Sequence, residues 1–384
     1  MDNSSFNLRH LRAFAKTFEL GTLLAASRAV NITQPALTQG LSRLEDQIGH
    51  KLFERQHDGM KPTTAAVLLY PRVTCALGFI RSSRVSQAQL RAFTALARTG
   101  SYAEASAETG LARASLHRAV SDLEIALGQT LVERRGRAIE LTRSGRMIAR
   151  RYKLAQSELA AAADELKSLH GIAQGRVSIG AMPLCRARVL PTAIVKFQSR
   201  IPSAQVRVAE GSHIELIEPL RDGELDFLIG ALRDPPPGPD LIQVPLFDDH
   251  PVILARKNHP LPAGNGPPEL EDLAKFDWCI PGRGVPLRES WEAMFSDAEL
   301  PSPRVQIECG SVIAIRQILI GTDCLTILSP DQVAVELEAG WLKIVASAPG
   351  SLTRRIGITY REGWRPTALQ QSFLDTLRTT CANA

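Results

Sequence analysis

A short segment near the N-terminus carries side chains of the kinds that contact nucleic-acid bases. Gln34 and Gln39 have amide heads that can donate to and accept from the edge of an adenine. The Thr38 hydroxyl can bond a base or a phosphate, and Pro35 offers an apolar surface to a thymine methyl group. These groups can meet one base pair step together only if they share an exposed helix edge. The segment therefore predicts a helix that enters the major groove.

Three predicted helices would position that edge. Apolar residues at helical spacing predict the first one: Leu8, Leu11, Phe14, Ala15 and Phe18. Gly21 ends it, and Thr22 can cap a second helix that runs through Ala29. After the turn at 30–32, Thr33 can cap the third helix. Its predicted buried edge is Leu37, Leu41, Leu44 and Ile48. Two short helices joined by a tight turn form a helix-turn-helix, and the segment after Gly49 predicts a hairpin wing. The alternative is a helical hairpin used only for packing.

The unit occurs twice. The letters LRAF begin at Leu11 and again at Leu90, 79 residues later, and no gap is needed until Ala66 and Gly145. Fixed points of the match include Leu44-Glu45 on Leu123-Glu124, Glu54-Arg55 on Glu133-Arg134, and Thr63 on Thr142. A gapless match of this length is an internal repeat. It favours a duplicated small domain over a chance hairpin.

The first copy resembles the N-terminal winged helix-turn-helix of the LysR-type transcriptional regulators. The resemblance lies in AASRAVNITQPALTQGLSRLEDQIGHKLFER, and the second copy resembles it through EASAETGLARASLHRAVSDLEIALGQTLVERRGRAIELTRSG. Members normally carry one such domain, so the duplication is a departure. The resemblance implies a regulator that binds double-stranded DNA and a small-molecule effector. It further implies a homodimer or homotetramer, with RNA polymerase as a further partner, and leaves activation or repression open.

The chain is expected to be a multidomain protein with five segments. They are a winged helix-turn-helix at 6–66 (copy 1), a linker at 67–84, a second winged helix-turn-helix at 85–145 (copy 2), a linker and dimerisation helix at 146–171, and an effector-binding domain at 175–384. Within the last, lobe I covers 175–246 and 346–384, and lobe II covers 247–345.

Copy 2 departs from copy 1 at the start of its third helix. Ala112-Arg113-Ala114 stands where copy 1 has Thr33-Gln34-Pro35. Loss of the capping Thr costs roughly 1 kcal/mol of helix stability. A cationic side chain in the first turn also opposes the helix dipole, by roughly 0.3–1 kcal/mol, so Arg113 is not there for helix stability. Either it contacts phosphate or guanine, or copy 2 is a remnant. The candidate DNA-contacting residues are Thr33, Gln34, Pro35, Thr38, Gln39, Arg43 and Arg55 in copy 1, and Arg113, Ser115, His117, Arg118, Arg134, Arg135 and Arg137 in copy 2.

The two segments that follow the copies differ. Pro71 is expected to interrupt a helix after copy 1, which would let copy 1 reach a separate stretch of duplex. After copy 2 an uninterrupted heptad stripe predicts a helix that pairs two chains: Ile148, Tyr152, Ala155, Leu159, Ala162, Leu166 and Leu169. A dimer would then carry four DNA-binding heads, with copy 2 near its axis. The alternative is that the stripe packs on its own chain.

From Arg176 onward, short buried strands alternate with helices, which predicts an α/β domain with mostly parallel sheets. It resembles the family's two-lobed effector-binding domain, which is similar to type 2 periplasmic binding proteins. The segments at 282–295 and 363–378 are similar to the subgroup named for a galactose-binding-protein regulator. The alternative function is a stand-alone solute-binding protein, which would explain only this half of the chain.

Ligands of such sheets bind beyond the carboxyl ends of strands, against helix N-termini. The candidate effector contacts at these turns are Met182, Leu184, Cys185, Ser212, His213, Arg283, Val285 and Ser311. Arg283 could hold a carboxylate, and the two serines could instead be simple N-caps. By family position Leu184 and Ser212 match effector contacts, although many members have a hydroxyl in place of Leu184. The effector class stays open between a sugar and an organic acid.

Composition and charge narrow the classes of protein to which the chain can belong. Residues 1–170 hold 24 Lys and Arg against 15 Asp and Glu, a balance of +9, and the remaining residues balance at −4. The basic half is therefore the one expected to meet a polyanion. The six scattered cysteines give no metal-ligand spacing and no expected cofactor. With no catalytic motif, signal peptide or bilayer-length apolar run, the expectation is a cytoplasmic protein that is not an enzyme.

Overall fold

The computed structural model describes residues 6–136, 138–169, 175–261, 268–348 and 352–382. The chain forms two compact units. The first unit runs to Gly175 and also takes in Arg221–Glu224 and Thr367–Leu369, and the second unit holds the rest. Among the described residues, no helix combines the length and apolar character needed to cross a membrane.

Copy 1 has three helices and a two-stranded hairpin, followed by a fourth helix. The elements are α1 (Leu8–Leu20), α2 (Leu23–Ala29), α3 (Gln34–Ile48), β1 (Phe53–Gln56), β2 (Gly59–Pro62) and α4 (Thr64–Ile80). The predicted bounds of the first three helices are confirmed. Gly21 ends α1 at a φ of 69°, the Thr22 hydroxyl caps α2, and the Thr33 hydroxyl caps α3. Asn31 makes the tight turn before α3 at a φ of 54°, where Asn is tolerated better than most residues.

Copy 2 repeats this order with almost the same bounds, shifted by the length of the repeat. Its elements are α5 (Gln87–Thr99), α6 (Tyr102–Thr109), α7 (Arg113–Leu127), β3 (Val132–Arg135), β4 (Ala138–Leu141) and α8 (Arg143–Ser168). Both hairpins are antiparallel. The helix α8 continues well beyond the position equivalent to the end of α4.

The fixed points of the repeat have structural roles. The Glu45 carboxylate accepts the Leu52 N–H at 2.8 Å, and the Glu124 carboxylate accepts the Leu131 N–H at 2.7 Å. Each bond ties the third helix to the start of its wing. The wing is tied to the first helix by a second recurring pair of bonds, from the Met60 N–H to the Gly21 carbonyl and from the Ile139 N–H to the Gly100 carbonyl. The two wings are therefore held in the same way.

The helix α4 runs through Pro71, so the predicted interruption is wrong. A proline inside a helix costs about 3 kcal/mol, and packing against α8 offsets this cost. Arg72, whose side chain is 1% exposed, donates to Glu158 at 3.0 Å and to Glu165 at 2.6 Å. A buried cation with two carboxylate partners holds α4 against α8 beside the proline.

The heptad stripe of α8 is buried within its own chain, so the predicted pairing of two chains along this stripe is wrong. Its buried members are Ile148, Tyr152, Ala155, Leu159, Ala162 and Leu166, and they share one apolar core with both copies. Leu169 lies beyond the end of α8 and is 40% exposed. The stripe has an intramolecular partner because α4 is continuous and presents an apolar stripe of its own: Leu69, Val73, Ala76 and Ile80. A homodimer or homotetramer must therefore use another surface.

The pairing of α4 with α8 is antiparallel. Arg72, in the middle of α4, bonds Glu158 and Glu165 in the second half of α8. Arg81, just past the end of α4, instead lies near Arg151 in the first half of α8, where its charge adds to burial in lowering the pKa of Arg151. The chain directions of α4 and α8 are therefore opposite.

The second unit is an α/β structure built on two sheets. Its strands are β5 (Arg176–Ala181), β6 (Gln205–Glu210), β7 (Phe227–Ala231), β8 (Leu241–Asp249), β9 (Val252–Arg256), β10 (Trp278–Ile280), β11 (Val305–Glu308), β12 (Thr326–Leu328), β13 (Leu342–Ser347) and β14 (Arg354–Arg361). Its helices are α9 (Val189–Arg200), α10 (His213–Arg221), α11 (Leu270–Leu273), α12 (Pro286–Ser296), α13 (Val312–Gly321), α14 (Ala334–Glu338) and α15 (Ala368–Ala382), with 3₁₀ turns at Pro183–Arg186 and Pro330–Val333.

The first sheet has the strand order β6-β5-β7-β14-β8. In the second, β12-β9-β13 is joined to β10-β11 through a bridge between Trp278 and Leu325. The predicted predominance of parallel strands is wrong, because β14 pairs antiparallel with β7 and β8, and β9 pairs antiparallel with β12 and β13. The chain leaves the first sheet along β8 and returns along β14. An outgoing and a returning strand that lie side by side must run in opposite directions.

Removal of the buried cation should loosen the joint between α4 and α8. Arg72→Ala leaves Glu158 and Glu165 without their cation, and we expect the free energy of unfolding of the first unit to fall by about 3–5 kcal/mol. Amide hydrogen exchange of α4 and α8 measures this change. The matched control is Arg98→Ala, which breaks an exposed ion pair with Glu108 and should cost less than about 1 kcal/mol. Equal exchange in both variants would contradict a joint that depends on Arg72.

Candidate nucleic-acid interface and effector site

The recognition helix of copy 1 is α3, and its outer edge carries the predicted base-contacting groups. Its inner edge is buried, and Gln34, Pro35, Gln39 and Arg43 are exposed. Thr38 is half-buried, and its hydroxyl donates to the Gln34 carbonyl at 3.0 Å. That bond leaves the hydroxyl oxygen free to accept. The edge can therefore present two amide heads and one hydroxyl to the same groove.

The surroundings of α3 are basic. Arg55 is exposed on the first wing strand, and Arg43 lies on the later part of α3. Burial and then the charge of Arg43 lower the pKa of His10, so this imidazole is largely neutral at pH 7. Arg43 and Arg55 contribute positive charge near α3, and their guanidinium groups suit phosphate contact.

The recognition helix of copy 2 is α7, and it presents a different chemistry from an equivalent edge. Arg113, Ser115, His117 and Arg118 are all exposed. The imidazole of His117 stacks on Tyr102, with ring centroids 5.1 Å apart. Stacking fixes the imidazole of His117 against α6. The guanidinium groups of Arg113 and Arg118 are therefore the hydrogen-bond donors that extend furthest from α7.

The wing of copy 2 is only partly available for DNA contact. Arg134 is exposed, and Arg135 pairs with Glu140 at 3.2 Å. The predicted contact at Arg137 lies outside the described residues. Of the two wing arginines that the structure describes, Arg135 therefore has a carboxylate partner and Arg134 has none shown.

The predicted effector turn at 182–185 forms a buried wall. Met182 and Leu184 are each 6% exposed, and Cys185 is fully buried. Burial raises the pKa of the Cys185 thiol far above its usual range, so the thiol stays protonated. The 3₁₀ turn Pro183–Arg186 contacts the 3₁₀ turn Pro330–Val333, which follows β12 of the second sheet. The turn therefore faces the half of the unit that contains the second sheet.

The two serine turns are occupied by the chain itself. The Ser212 N–H and hydroxyl both donate to the Glu215 carboxylate at 2.7 Å, and this bonding lowers the pKa of Glu215. The Ser311 hydroxyl accepts the Ala314 N–H at 3.5 Å. Both arrangements are the N-capping alternative. An anion at Ser212 would have to displace the carboxylate of Glu215. His213, which opens α10, is half-buried.

Arg283 and Val285 are exposed in the loop after β10. Arg283 lines a polar groove with Arg288, Trp291 and Glu308, and the described lining residues all belong to the half that contains the second sheet. Arg288 is buried, pairs with Glu292 at 2.7 Å, and lies 5.2 Å from the ring centroid of Trp291. The predicted meeting of Arg283 with Ser212 in one cleft stays a prediction.

Arg186 is a positioning residue that the sequence analysis missed. Its guanidinium donates to the Ala181 carbonyl at 3.1 Å, to Glu210 at 2.9 Å and to the Gly211 carbonyl at 3.3 Å. It therefore ties together the ends of β5 and β6, where ligands of such sheets bind. The available signal was a cation placed directly after a strand-end turn. Among the described residues, no group of three His, Cys, Asp or Glu could hold a metal ion.

Comparison with known proteins points to one family. The model described as "LysR substrate binding domain" matches residues 170–382, and the one described as "Bacterial regulatory helix-turn-helix protein, lysR family" matches 8–67 and 87–146. The HTH-type transcriptional regulator GalR of Pseudomonas putida is 31% identical over 370 residues, which cover 93% of each chain. The SDS degradation transcriptional activation protein of a Pseudomonas strain is 33% identical and covers 72% of this chain and 90% of its own.

Solved structures show the same fold. Full-length CbnR in complex with its target DNA has a TM-score of 0.54 at 18% identity, over 76% of this chain and 98% of its own. Another structure, described as CbnR, a LysR family transcriptional regulator, has a TM-score of 0.52 at 19% identity over the same shares.

The uncapped start of α7 gives a direct stability prediction. Ala112 has the backbone conformation of the capping Thr33 but no side-chain hydrogen bond. Ala112→Thr should therefore raise the free energy of unfolding by about 1 kcal/mol, and Thr33→Ala should lower it by a similar amount. Chemical denaturation of both variants measures the changes. A destabilising Ala112→Thr would mean that the cap geometry of α7 differs from that of α3.

Proposed function

Because the chain belongs to the LysR family of DNA-binding transcriptional regulators, we propose that both of its helix-turn-helix copies contact DNA. We propose further that a small-molecule effector binds in the second unit and switches this activity. The DNA partner implies that the protein acts in the cytoplasm.

The outer edge of α3 is the observation that carries the first proposal. Gln34 and Gln39 are exposed on a capped helix, and both have the amide chemistry that pairs with adenine. Thr38 and Pro35 add an acceptor and an apolar surface beside them. Arg43 and Arg55 supply phosphate contacts that fix the register.

Copy 2 contributes through Arg113 and Arg118. Two exposed guanidinium groups on one helix suit guanine, which offers paired acceptors at O6 and N7. An uncapped, exposed arginine at a helix start opposes the helix dipole, so its presence favours a role outside helix stability. The alternative, that copy 2 is a remnant, gives no reason for these cations.

The effector site is proposed at the strand ends of the two sheets. The apolar wall of Met182 and Leu184 suits the carbon skeleton of a sugar or an organic acid. Arg188, which follows the same turn, pairs with Glu338 at 3.5 Å, so this turn lies against the opposite half of the unit. Ser212, His213, Arg283 and Ser311 remain the proposed polar contacts around that wall, and Val285 is a further proposed apolar contact.

Base contact by α3 predicts a loss that depends on sequence. Gln34→Ala should weaken binding to the specific site by about 10- to 100-fold, as removal of a bidentate pair does, and random duplex only slightly. Footprinting and gel shift on DNA beside the gene, at fixed salt, measure both. Gln205→Ala is the matched control, since Gln205 is exposed on β6 in the second unit. Equal losses on specific and random DNA would contradict base contact.

The effector proposal predicts that Arg186 controls ligand response. Arg186→Met frees the ends of β5 and β6 and should weaken ligand binding about tenfold or more, the cost of losing hydrogen bonds from a charged group. Thermal shift with a panel of sugars and organic acids first finds a ligand and then compares variants. Arg207→Met, at an exposed position on β6, is the control. An unchanged response would exclude the site at these strand ends.

A further inference from the structure

The joint between α4 and α8 is built from equivalent residues of the two copies. Four buried apolar positions of α4 correspond to buried positions of α8: Leu69 to Ile148, Val73 to Tyr152, Ala76 to Ala155, and Ile80 to Leu159. Each copy therefore contributes the same face of the same helix to one shared core. Two like faces that meet antiparallel are related by an approximate two-fold axis.

The placement of Arg72 and of its equivalent in copy 2 is also reciprocal. Arg72 of α4 contacts Glu158, the residue equivalent to Phe79. Exchange of the copies would place Arg151, the equivalent of Arg72, beside Phe79, and the structure has Arg151 near Arg81, two residues further on. Each of the two equivalent arginines therefore lies toward the far end of the other copy's long helix, as an antiparallel two-fold pairing requires.

The recognition helices follow this axis because each head is fixed to its own long helix in the same way. The Thr63 N–H donates to the Leu52 carbonyl at 2.9 Å, and the Thr142 N–H donates to the Leu131 carbonyl at 3.0 Å. The connection between the copies is also anchored, since Arg12 donates to the carbonyls of Ser82 and Ser83. The interruption at Pro71 that was expected to separate the two copies is therefore absent, and the segment between the copies is held against copy 1.

A two-fold pair of recognition helices fits two inverted half-sites on one duplex, about one helical turn or a multiple of it apart. In most such proteins the two helices come from two identical chains, and the half-sites are alike. Here α3 offers Gln34 and Gln39, whereas the equivalent positions on α7 are Arg113 and Arg118. Arg43 of α3 is replaced by Asp122 on α7, so the later turns differ in charge as well.

We propose that a single chain forms the complete two-headed DNA-binding module and recognises an operator with two unlike, inverted half-sites. The half-site bound by α3 contains the adenines that Gln34 and Gln39 contact, and the half-site bound by α7 contains the guanines that Arg113 and Arg118 contact. This inference rests on the proposed function, namely that both copies contact DNA. It places each functional pair of heads within one chain, whereas the sequence predicted that copy 2 of one chain would pair with copy 2 of another.

In vitro selection with the full chain tests the proposal. The probe is a pool of duplexes with a randomised centre of about 25 base pairs, long enough for two half-sites. The wild-type chain should enrich one sequence with two inverted halves of different composition. With a short duplex of that sequence in excess, native mass spectrometry should find one chain per duplex.

Two double variants assign the halves. Gln34→Ala with Gln39→Ala should remove the preference in the adenine-containing half only, and Arg113→Ala with Arg118→Ala the preference in the guanine-containing half only. Each should weaken binding to the enriched site by about 10- to 100-fold. The control, Arg207→Ala with Arg304→Ala, removes the same charge from exposed positions of the second unit and should leave the enriched sequence unchanged.

The outcomes separate the inference from the function beneath it. Identical halves, or two chains on every duplex when duplex is in excess, would overturn the single-chain module while leaving DNA binding intact. A sequence that the arginine double variant enriches unchanged would also overturn it. No enrichment by the wild-type chain would overturn the proposed function, and this inference with it.

Discussion

The antiparallel pairing of α4 with α8 is the interaction on which the first unit depends. It buries the apolar stripes of both helices in one core and closes around the guanidinium of Arg72. A buried cation is tolerated only when its charge is matched, and Glu158 and Glu165 supply that match. Glu165 lies on the part of α8 that extends past the repeat. The shorter helix α4 ends before the equivalent position, so it has no corresponding carboxylate for an arginine of α8. The duplication is nearly symmetric, but the ion pair at its centre is not.

This joint changes what each copy must do. A helix-turn-helix attached to an isolated linker would need a second chain to cover the apolar face of that linker. In this chain the second copy covers it. The shared scaffold is maintained by Glu45 and Glu124, which make the same bond in both copies, while the exposed edges of α3 and α7 differ. The groups that pack these helices and the groups proposed to contact DNA therefore lie on different faces of the same helices.

The sequence predicted local structure well and the partners of that structure less well. Periodicity and caps located α1, α2 and α3 because the capping residues and glycines that end each helix lie next to it in the sequence. The apolar stripe of α8 was recognised, but a heptad pattern does not show which helix packs against it. The expected interruption at Pro71 left α4 out of consideration, and α4 is the helix that packs there. The strands β8 and β13 are defined by long-range pairing, which local periodicity does not show. Arg186 was missed for the same reason, since its three acceptors are carbonyls and a carboxylate brought together by the fold.

The most direct measurement asks whether α4 and α8 of one chain pair with each other. Arg72→Lys places a primary amine beside Glu158 and Glu165, where a carbodiimide can form an amide bond. Equal amounts of ¹⁵N-labelled and unlabelled chains are unfolded together, refolded, crosslinked and digested. The account predicts crosslinked peptide pairs that are entirely labelled or entirely unlabelled. Pairs with one labelled and one unlabelled peptide would show that the two helices come from different chains, which would contradict the single-chain module.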